Sequence, residues 1–330
     1  MPDPTAAIER PLVTEARFEL DNALRSARER AVFGHGGAVA SAVFSTDGRL
    51  LATASRDSTA RVFAVATGKE LLKLVHSSAV RSAFFSPNGR VLATITSDRT
   101  VRLFEMATGV ERFRLAHDGW LQNAAFSPDG RLFATASKDG VRLFEMATGK
   151  QLTQFPDQQS VRSVIFSPDD NFIAITSTEG LTRLFSVATG YDLVRILHAD
   201  STTHATFSPE GNVLATYGEG MTRLFATSTG KELASWAHDG EVVSAVFSPD
   251  GKILATATNN RSAELFEIGE GRRTAWLAHD REIQSIAFSP DGKRVITASR
   301  DYYTKIWDIA TGKVIRMLGG SSSAVTRVEF

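Results

Sequence analysis

The chain has 330 residues, carries 37 Lys plus Arg against 37 Asp plus Glu, and contains no cysteine. Zero net charge leaves no global field to draw nucleic acid or a membrane surface. The absence of thiols excludes disulfides and thiolate metal sites and fits a reducing compartment.

Residues 1–13 are polar and proline-containing and read as a loose tail. The opening MPDPTAAIER has neither the basic start nor the apolar stretch of a signal peptide, and no run is long enough to span a bilayer. The expectation is a soluble, cytoplasmic protein. From Thr14 to Arg30 the pattern changes to helix formers without Gly or Pro. Thr14 is placed to cap a helix whose partly amphipathic face carries Phe18, Leu20, Leu24 and Ala27. Residues 1–30 are thus tail and helix, and residues 31–330 form a separate repeat domain that opens on a short strand, Ala31 to Phe33.

In that domain a Phe closing an apolar run recurs at Phe44, Phe85, Phe126, Phe166, Phe207, Phe247, Phe288 and Phe330, spaced 40 to 42 residues apart. Each period reads as strand, turn, strand, turn, strand, turn, strand. In the last full copy, Ser289-Pro290-Asp291-Gly292 is the first turn and Ser299-Arg300-Asp301 the second, and the third strand ends on Ile306-Trp307-Asp308. First strands are expected near 39–44, 80–85, 121–126, 161–166, 202–207, 242–247 and 283–288. Pro presets φ in the first turns, Gly takes a positive φ, and the recurrent Ala-Thr-Gly after the third strand is also turn chemistry.

A four-stranded unit of this period is a propeller blade. It cannot bury both faces alone, so the expected fold is all-β: a closed β-propeller of four-stranded antiparallel blades. Seven blades are favoured. Eight is the alternative, because residues 31–33 and 325–330 are strand-like pieces left over at the two ends, whereas residues 10–22 are poorly suited to supply the middle strands of an eighth blade.

The Gly-His or X-His before the first strand, the Phe-Ser-Pro-Asp-Gly turn, the Ser/Thr-x-Asp turn and the terminal Trp307-Asp308 resemble the WD40 repeat family, over roughly Phe33 to Phe330. The other copies end in Phe63, Phe104, Phe144, Phe185, Phe225 and Phe266 instead of Trp. The resemblance implies a buried polar set in each blade, in which the His bonds a turn Asp and a second-strand hydroxyl that also receives the Trp indole. Carried over, the sets are His35/Ser55/Asp57, His76/Thr96/Asp98, His117/Ser137/Asp139, His238/Thr258/Asn260 and His279/Ser299/Asp301/Trp307. Phe cannot donate, so only the last is complete. Asp157 stands in place of the His in blade four.

Copies of one His on different blades do not converge on a metal ion. A Ser-His-Asp composition that repeats, with no oxyanion site beside it, reads as structural, so no catalytic residue, metal or cofactor is expected.

Departures from the repeat point to a binding face. Trp120 stands where other blades have Ala38, Ala79, Ser160, Ser201, Glu241 or Glu282; it either anchors a partner or packs on the next blade. His204 replaces the first-strand Ser of most blades, as a structural His or as part of a ligand site. Arg81 and Arg162 occupy the preceding position, on a mildly basic rim or on ordinary surface. On the last blade Arg300, Tyr302 and Tyr303 differ from their counterparts.

The WD40 resemblance implies a non-catalytic, monomeric scaffold that binds a protein or peptide through its loops, without nucleic acid or membrane. Two alternatives are a sensor domain of a larger bacterial ATPase- or kinase-linked signalling protein and, less favoured, a small-molecule or enzymatic propeller. No paired acids, phosphate loop or nucleophile elbow favours the last.

Overall fold

The computed structural model describes residues 33–138, 140–155, 161–198 and 202–319. The expected tail and helix within 1–30, the strand at residues 31 and 32, and the strand at 325–330 lie outside these residues. Phe33 is not in a strand; its ring packs against Phe63 with centroids 4.8 Å apart.

The described chain is all-β, with seven four-stranded antiparallel sheets in succession, each a simple meander. In blade one the strands are Val39–Phe44, Leu50–Ser55, Thr59–Ala64 and Glu70–Val75. Blade six has Val242–Phe247, Ile253–Thr258, Ser262–Glu267 and Arg272–Ala278, and blade seven Ile283–Phe288, Arg294–Ser299, Tyr303–Asp308 and Val314–Gly319. All seven first strands fall at the residues expected from the spacing of the Phe series. Blades one and two make up one compact unit and blades three to seven a second.

Burial explains why four strands of one sheet have different compositions. Second strands are covered on both faces by neighbouring strands and blades, so they read almost without polar charge, as in Leu51-Ala52-Thr53-Ala54-Ser55, all buried. Small residues there let adjacent sheets approach. Fourth strands alternate, as half-covered strands do: in Arg272–Ala278 only Leu277 is fully buried. Leu277 joins Ala257, Leu265, Ile283, Ile286, Val295 and Trp307 in one apolar cluster spanning blades six and seven. Burying such a side chain stabilises by roughly 1.5–3 kcal/mol.

The end blades depart from this pattern. Val39 is 48% exposed where its counterpart Val80 is fully buried, and Leu318 is 43% exposed where Leu277 is fully buried.

Each turn between first and second strands is held by its own side chains. In blade one Ser45 Oγ donates to Asp47 Oδ1 at 2.6 Å and accepts from Leu50 N at 2.9 Å, and Asp47 Oδ1 accepts from Arg49 N. Gly48, at φ 68°, closes the turn by donating to Ser45 O. The same Ser and Asp bonds recur at Ser289 and Asp291, so these polar residues serve geometry. A register shift recurs in first strands, between Ile283 and Ser285 in blade seven, and sharpens the twist where the loop enters the sheet.

Candidate functional site

A meander of four strands places the turn between second and third strands at the same end of a blade as the connection leading into it. The histidines stand in those connections. In blade seven His279, just after the last strand of blade six, reaches forward into the next sheet. Its Nδ1 lies 2.8 Å from Asp301 Oδ2 and its Nε2 2.7 Å from Thr297 Oγ1. Trp307 Nε1 donates to the same Thr297 oxygen at 2.8 Å. One consistent chain of donors follows: indole N–H to threonine, threonine O–H to imidazole, imidazole N–H to carboxylate. Burial holds His279 below the usual imidazole value, hence neutral. Burial opposes ionisation of Asp301, but bonds from His279 and from the Tyr303 and Asp280 backbone N–H groups outweigh it and hold the carboxyl below its ordinary value.

The hydroxyl in this relay is Thr297, not Ser299 as carried over from the resemblance. Ser299 Oγ donates to Arg281 O at 3.0 Å. Blades one and two make the same correction. His35 Nε2 meets Thr53 at 2.7 Å while Ser55 bonds the carbonyls of Gly37 and Ala38, and His76 Nε2 meets Thr94 at 2.9 Å while Thr96 bonds Asp98 and Thr100 O. Residues two apart share a face of the strand. The terminal hydroxyl is level with the loop backbone, and the inner one is level with the imidazole.

The acid partners also differ between blades. His35 Nδ1 is 3.1 Å from Asp57, which lies below its ordinary value because bonds from Thr59, Gly36 and His35 outweigh burial. His76 instead donates from Nδ1 to Leu74 O at 3.1 Å, and Asp98 accepts from Ser77. His117 is buried and Ser137 donates to Gly140 O, whereas Asp139 lies outside the described residues.

His238 does not bond Thr258 or Asn260. Its Nε2 turns back to Thr222 at 3.0 Å, Thr258 donates to Ser262 O, and Asn260 donates to Asp239. His198 likewise meets Thr182 at 3.2 Å. The third strand of the preceding blade decides the direction: it offers a hydroxyl at Thr182 and Thr222, but only Ala60 behind His76 and Ala263 behind His279. In blade four, which lacks the His, the inner threonine is also missing and Ile175 takes its place.

Blade six carries a charge reversal. Third strands present a cation at Arg61, Arg102, Arg142, Arg183, Arg223 and Lys305, and here Glu264. Arg61, Arg142 and Lys305 each donate to the carbonyl just before the neighbouring His, at Gly34, Ala116 and Ala278. Glu264 is buried, with Oε2 3.6 Å from His238 Nδ1 and Oε1 3.4 Å from Arg273. Burial alone would raise its pKa; His238 and then Arg273 more than reverse this and keep it ionised.

These arrangements hold backbone in place. The described serines of the Ser-His-Asp sets do not bond the imidazole, and among the described residues no cluster of His, Asp and Glu is suited to hold a metal ion. Among the same residues no helix is long and apolar enough to cross a membrane.

The suggested binding residues separate into distinct places. His204 pairs across the strands with Tyr217 and stacks on it, with ring centroids 5.5 Å apart. Burial and then the nearby Arg162 push the His204 pKa down, and burial pushes Tyr217 up to about 12. The Tyr217 hydroxyl takes the backbone N–H of Ala245 in the next blade, as Ser41 does for Ala83 and Asn123 for Val164. The pair therefore replaces a Ser bridge between blades. Arg81 is exposed in blade two, and Trp120 is 55% exposed in the connection into blade three.

Arg300 lies at a cavity of about 530 Å³ between blades six and seven, lined also by Arg261, Asp280, Arg281 and Glu282. Tyr302, at φ 70° in the same turn as Arg300, is partly exposed. Sequence reasoning missed Arg261, Arg281, Thr53, Thr94, Thr297 and Glu264. For each the signal was present as an agreement, or a break in agreement, at one repeat position.

The family profile described as "Outer membrane protein assembly factor BamB" matches residues 56–318, and that described as "WD domain, G-beta repeat" matches residues 28–63. No curated sequence matches the chain significantly. Among solved structures, 1892 chains match, so likeness of fold does not discriminate between functions. One is the computationally designed Ika8 protein, similar with a TM-score of 0.81 and 25% identity over 92% of this chain and 93% of that one.

Proposed function

Because the chain belongs to the repeat family whose profile is described as outer membrane protein assembly factor BamB, and residues 28–63 match the WD G-beta repeat profile, we propose that it is a non-catalytic platform binding a protein or peptide through the loop ends of its blades. One observation carries this reading. The strands of different blades are nearly interchangeable: the second strands read LLATAS, LFATAS and ILATAT. At the loop ends, by contrast, the residue two after the His position is Gly37, Ser78, Gly119, Gln159, Asp200, Gly240 or Arg281. Stability asks for the same residues in every blade, and recognition asks for different ones.

The catalytic alternative has less support. His35, His76 and His279 are committed to hydroxyl, carboxylate or backbone partners, and Ser55 and Ser299 are turned to carbonyls. A cysteine-free chain suits a reducing cytoplasm, while the assembly-factor description suits the bacterial envelope; fractionation of source cells decides between them.

Capture from native lysate tests the reading with three proteins: wild type, Trp120→Ala and Lys252→Ser. Ala79 stands at the repeat position of Trp120, so the first substitution fits the blade. Lys252 lies at the opposite end, after the first-to-second strand turn. Loss of the captured species with Trp120→Ala alone supports the loop ends, and loss with Lys252→Ser alone moves binding to the other end. A captured low-molecular-weight substrate converted by the protein would replace the platform reading by an enzymatic one.

A further inference from the structure

The cavity between blades six and seven has a composition found at no other junction within either unit. At the positions of Arg261, Arg281 and Arg300, the junction of blades one and two carries Ser58, Ser78 and Ser97, and that of blades five and six carries Gly220, Gly240 and Asn259. Building on the platform reading, we propose that this cavity is the recognition site for an acidic peptide segment, whose carboxylates are taken by Arg281 and Arg261.

Charge and placement both support this occupant. Arg300 is engaged already: its Nη1 lies 3.0 Å from Glu282 Oε2, and its backbone N–H donates to Glu282 O at 2.9 Å. Arg261 and Arg281 are exposed and have no acidic partner among the described residues. Three guanidinium groups face two carboxylates, Asp280 and Glu282, leaving a surplus of positive charge directed at the cavity. A planar guanidinium fork matches a carboxylate with two parallel hydrogen bonds.

The loop that presents Arg281 is also held from below. Ser299 Oγ donates to Arg281 O at 3.0 Å, and Asp280 N–H donates to Asp301 Oδ2 at 3.2 Å. Asp301 in turn belongs to the one set among the described blades that is completed by a Trp, at Trp307. The loop end carrying Arg281 is thus tied to its own sheet through both its carbonyl and the neighbouring N–H. Such preorganisation lowers the ordering cost of binding.

Fluorescence anisotropy of a labelled oligoglutamate peptide with the full chain at low salt tests the proposal. Arg281→Gly, Arg261→Gly and Arg300→Ser introduce residues already present at these positions in other blades: Gly37, Gly220 and Ser97. Folding of the triple variant is therefore expected, and its thermal melt checks it. The triple variant should bind about tenfold or more weakly than wild type. Glu282→Gln, which removes a competing carboxylate, should bind about two- to threefold more tightly. The matched control Lys231→Ser/Lys252→Ser/Lys293→Ser removes the same charge from the opposite ends of the blades and should leave affinity within about twofold.

An equal loss in the control would mean a diffuse field and overturn the site, as would absence of binding by the wild type. Displacement of the peptide by equimolar inorganic phosphate would overturn it in favour of a phosphate site. If the arginine triple variant still captures the lysate partner that Trp120→Ala loses, the cavity is wrong while the platform reading stands.

Discussion

Thr297 lies 2.7 Å from His279, and its hydroxyl is the junction through which the third strand of blade seven, the second strand and the incoming loop are joined. Removing it leaves a buried imidazole acceptor and a buried indole donor without their partner. Thr297→Val should destabilise the protein by about 1–3 kcal/mol. Thr256, the equivalent residue of blade six, is equally buried, but its hydroxyl has no hydrogen-bond partner among the described residues because His238 has turned back to Thr222. Thr256→Val should therefore be neutral within about 0.5 kcal/mol, or stabilising. Urea denaturation of the two variants gives the comparison.

Stability should fall in two steps as the solution is acidified. Burial holds His76 and His279 below the usual imidazole value of 6.5. The unfolded chain takes up these protons at higher pH than the folded protein, so the histidines contribute fully above 6.5 and progressively less as pH falls through that value toward their folded pKa. Asp98 is held at about 2, where bonds from Thr96 and Ser77 outweigh the opposing effect of burial. Its contribution, and that of Asp301, persists above the ordinary 3.8 and is lost as pH falls from there. The urea midpoint measured against pH should show both steps, and Asp98→Asn should reduce the lower one alone.

The reversed pair of blade six makes a double-mutant prediction. Arg61 faces Glu70 at 3.1 Å and Arg183 faces Asp192 at 2.8 Å, whereas Glu264 faces Arg273 at 3.4 Å with the signs exchanged. Glu264→Arg alone sets two cations together and should cost about 1–3 kcal/mol, because the position is buried. Adding Arg273→Glu should recover about 0.5–1 kcal/mol of this, the smaller amount reflecting the exposure of Arg273. Additive losses in the double variant would show that the pair is not coupled.

Leu277 and Leu318 occupy the same repeat position with different surroundings. Leu277→Ala opens a cavity in the cluster between blades six and seven and should cost about 2–5 kcal/mol. Leu318→Ala, on the half-exposed strand Val314–Gly319, should cost less than about 1 kcal/mol. A large loss at Leu318 would show that this face is covered in solution.

Much of the fold was legible because strand, turn and period are local properties. The Phe series placed all seven first strands, and Pro-Asp-Gly placed their turns. The polar sets were legible as groups but not as bonds. Ser299 and Thr297 lie on one face of one strand, so sequence pattern alone cannot say which is level with the imidazole. The direction taken by His198 and His238 depends on a hydroxyl of another blade, at Thr182 and Thr222, and is visible only once third strands are compared. The cavity was half legible. Arg300 and Tyr302 were singled out as departures, but Arg261 and Arg281 lie 39 and 19 residues before Arg300 and meet it only through the stacking of two blades.

Hydrogen–deuterium exchange of the full chain, alone and with its captured partner, tests the assignment of recognition to the loop ends most directly. The expected result is slowed exchange at residues 259–261, 280–282 and 300–302. Protection confined to the Pro-Asp-Gly and Ala-Thr-Gly turns, at residues 249–251, 290–292 and 310–312, would place the partner at the opposite ends of the blades and contradict it.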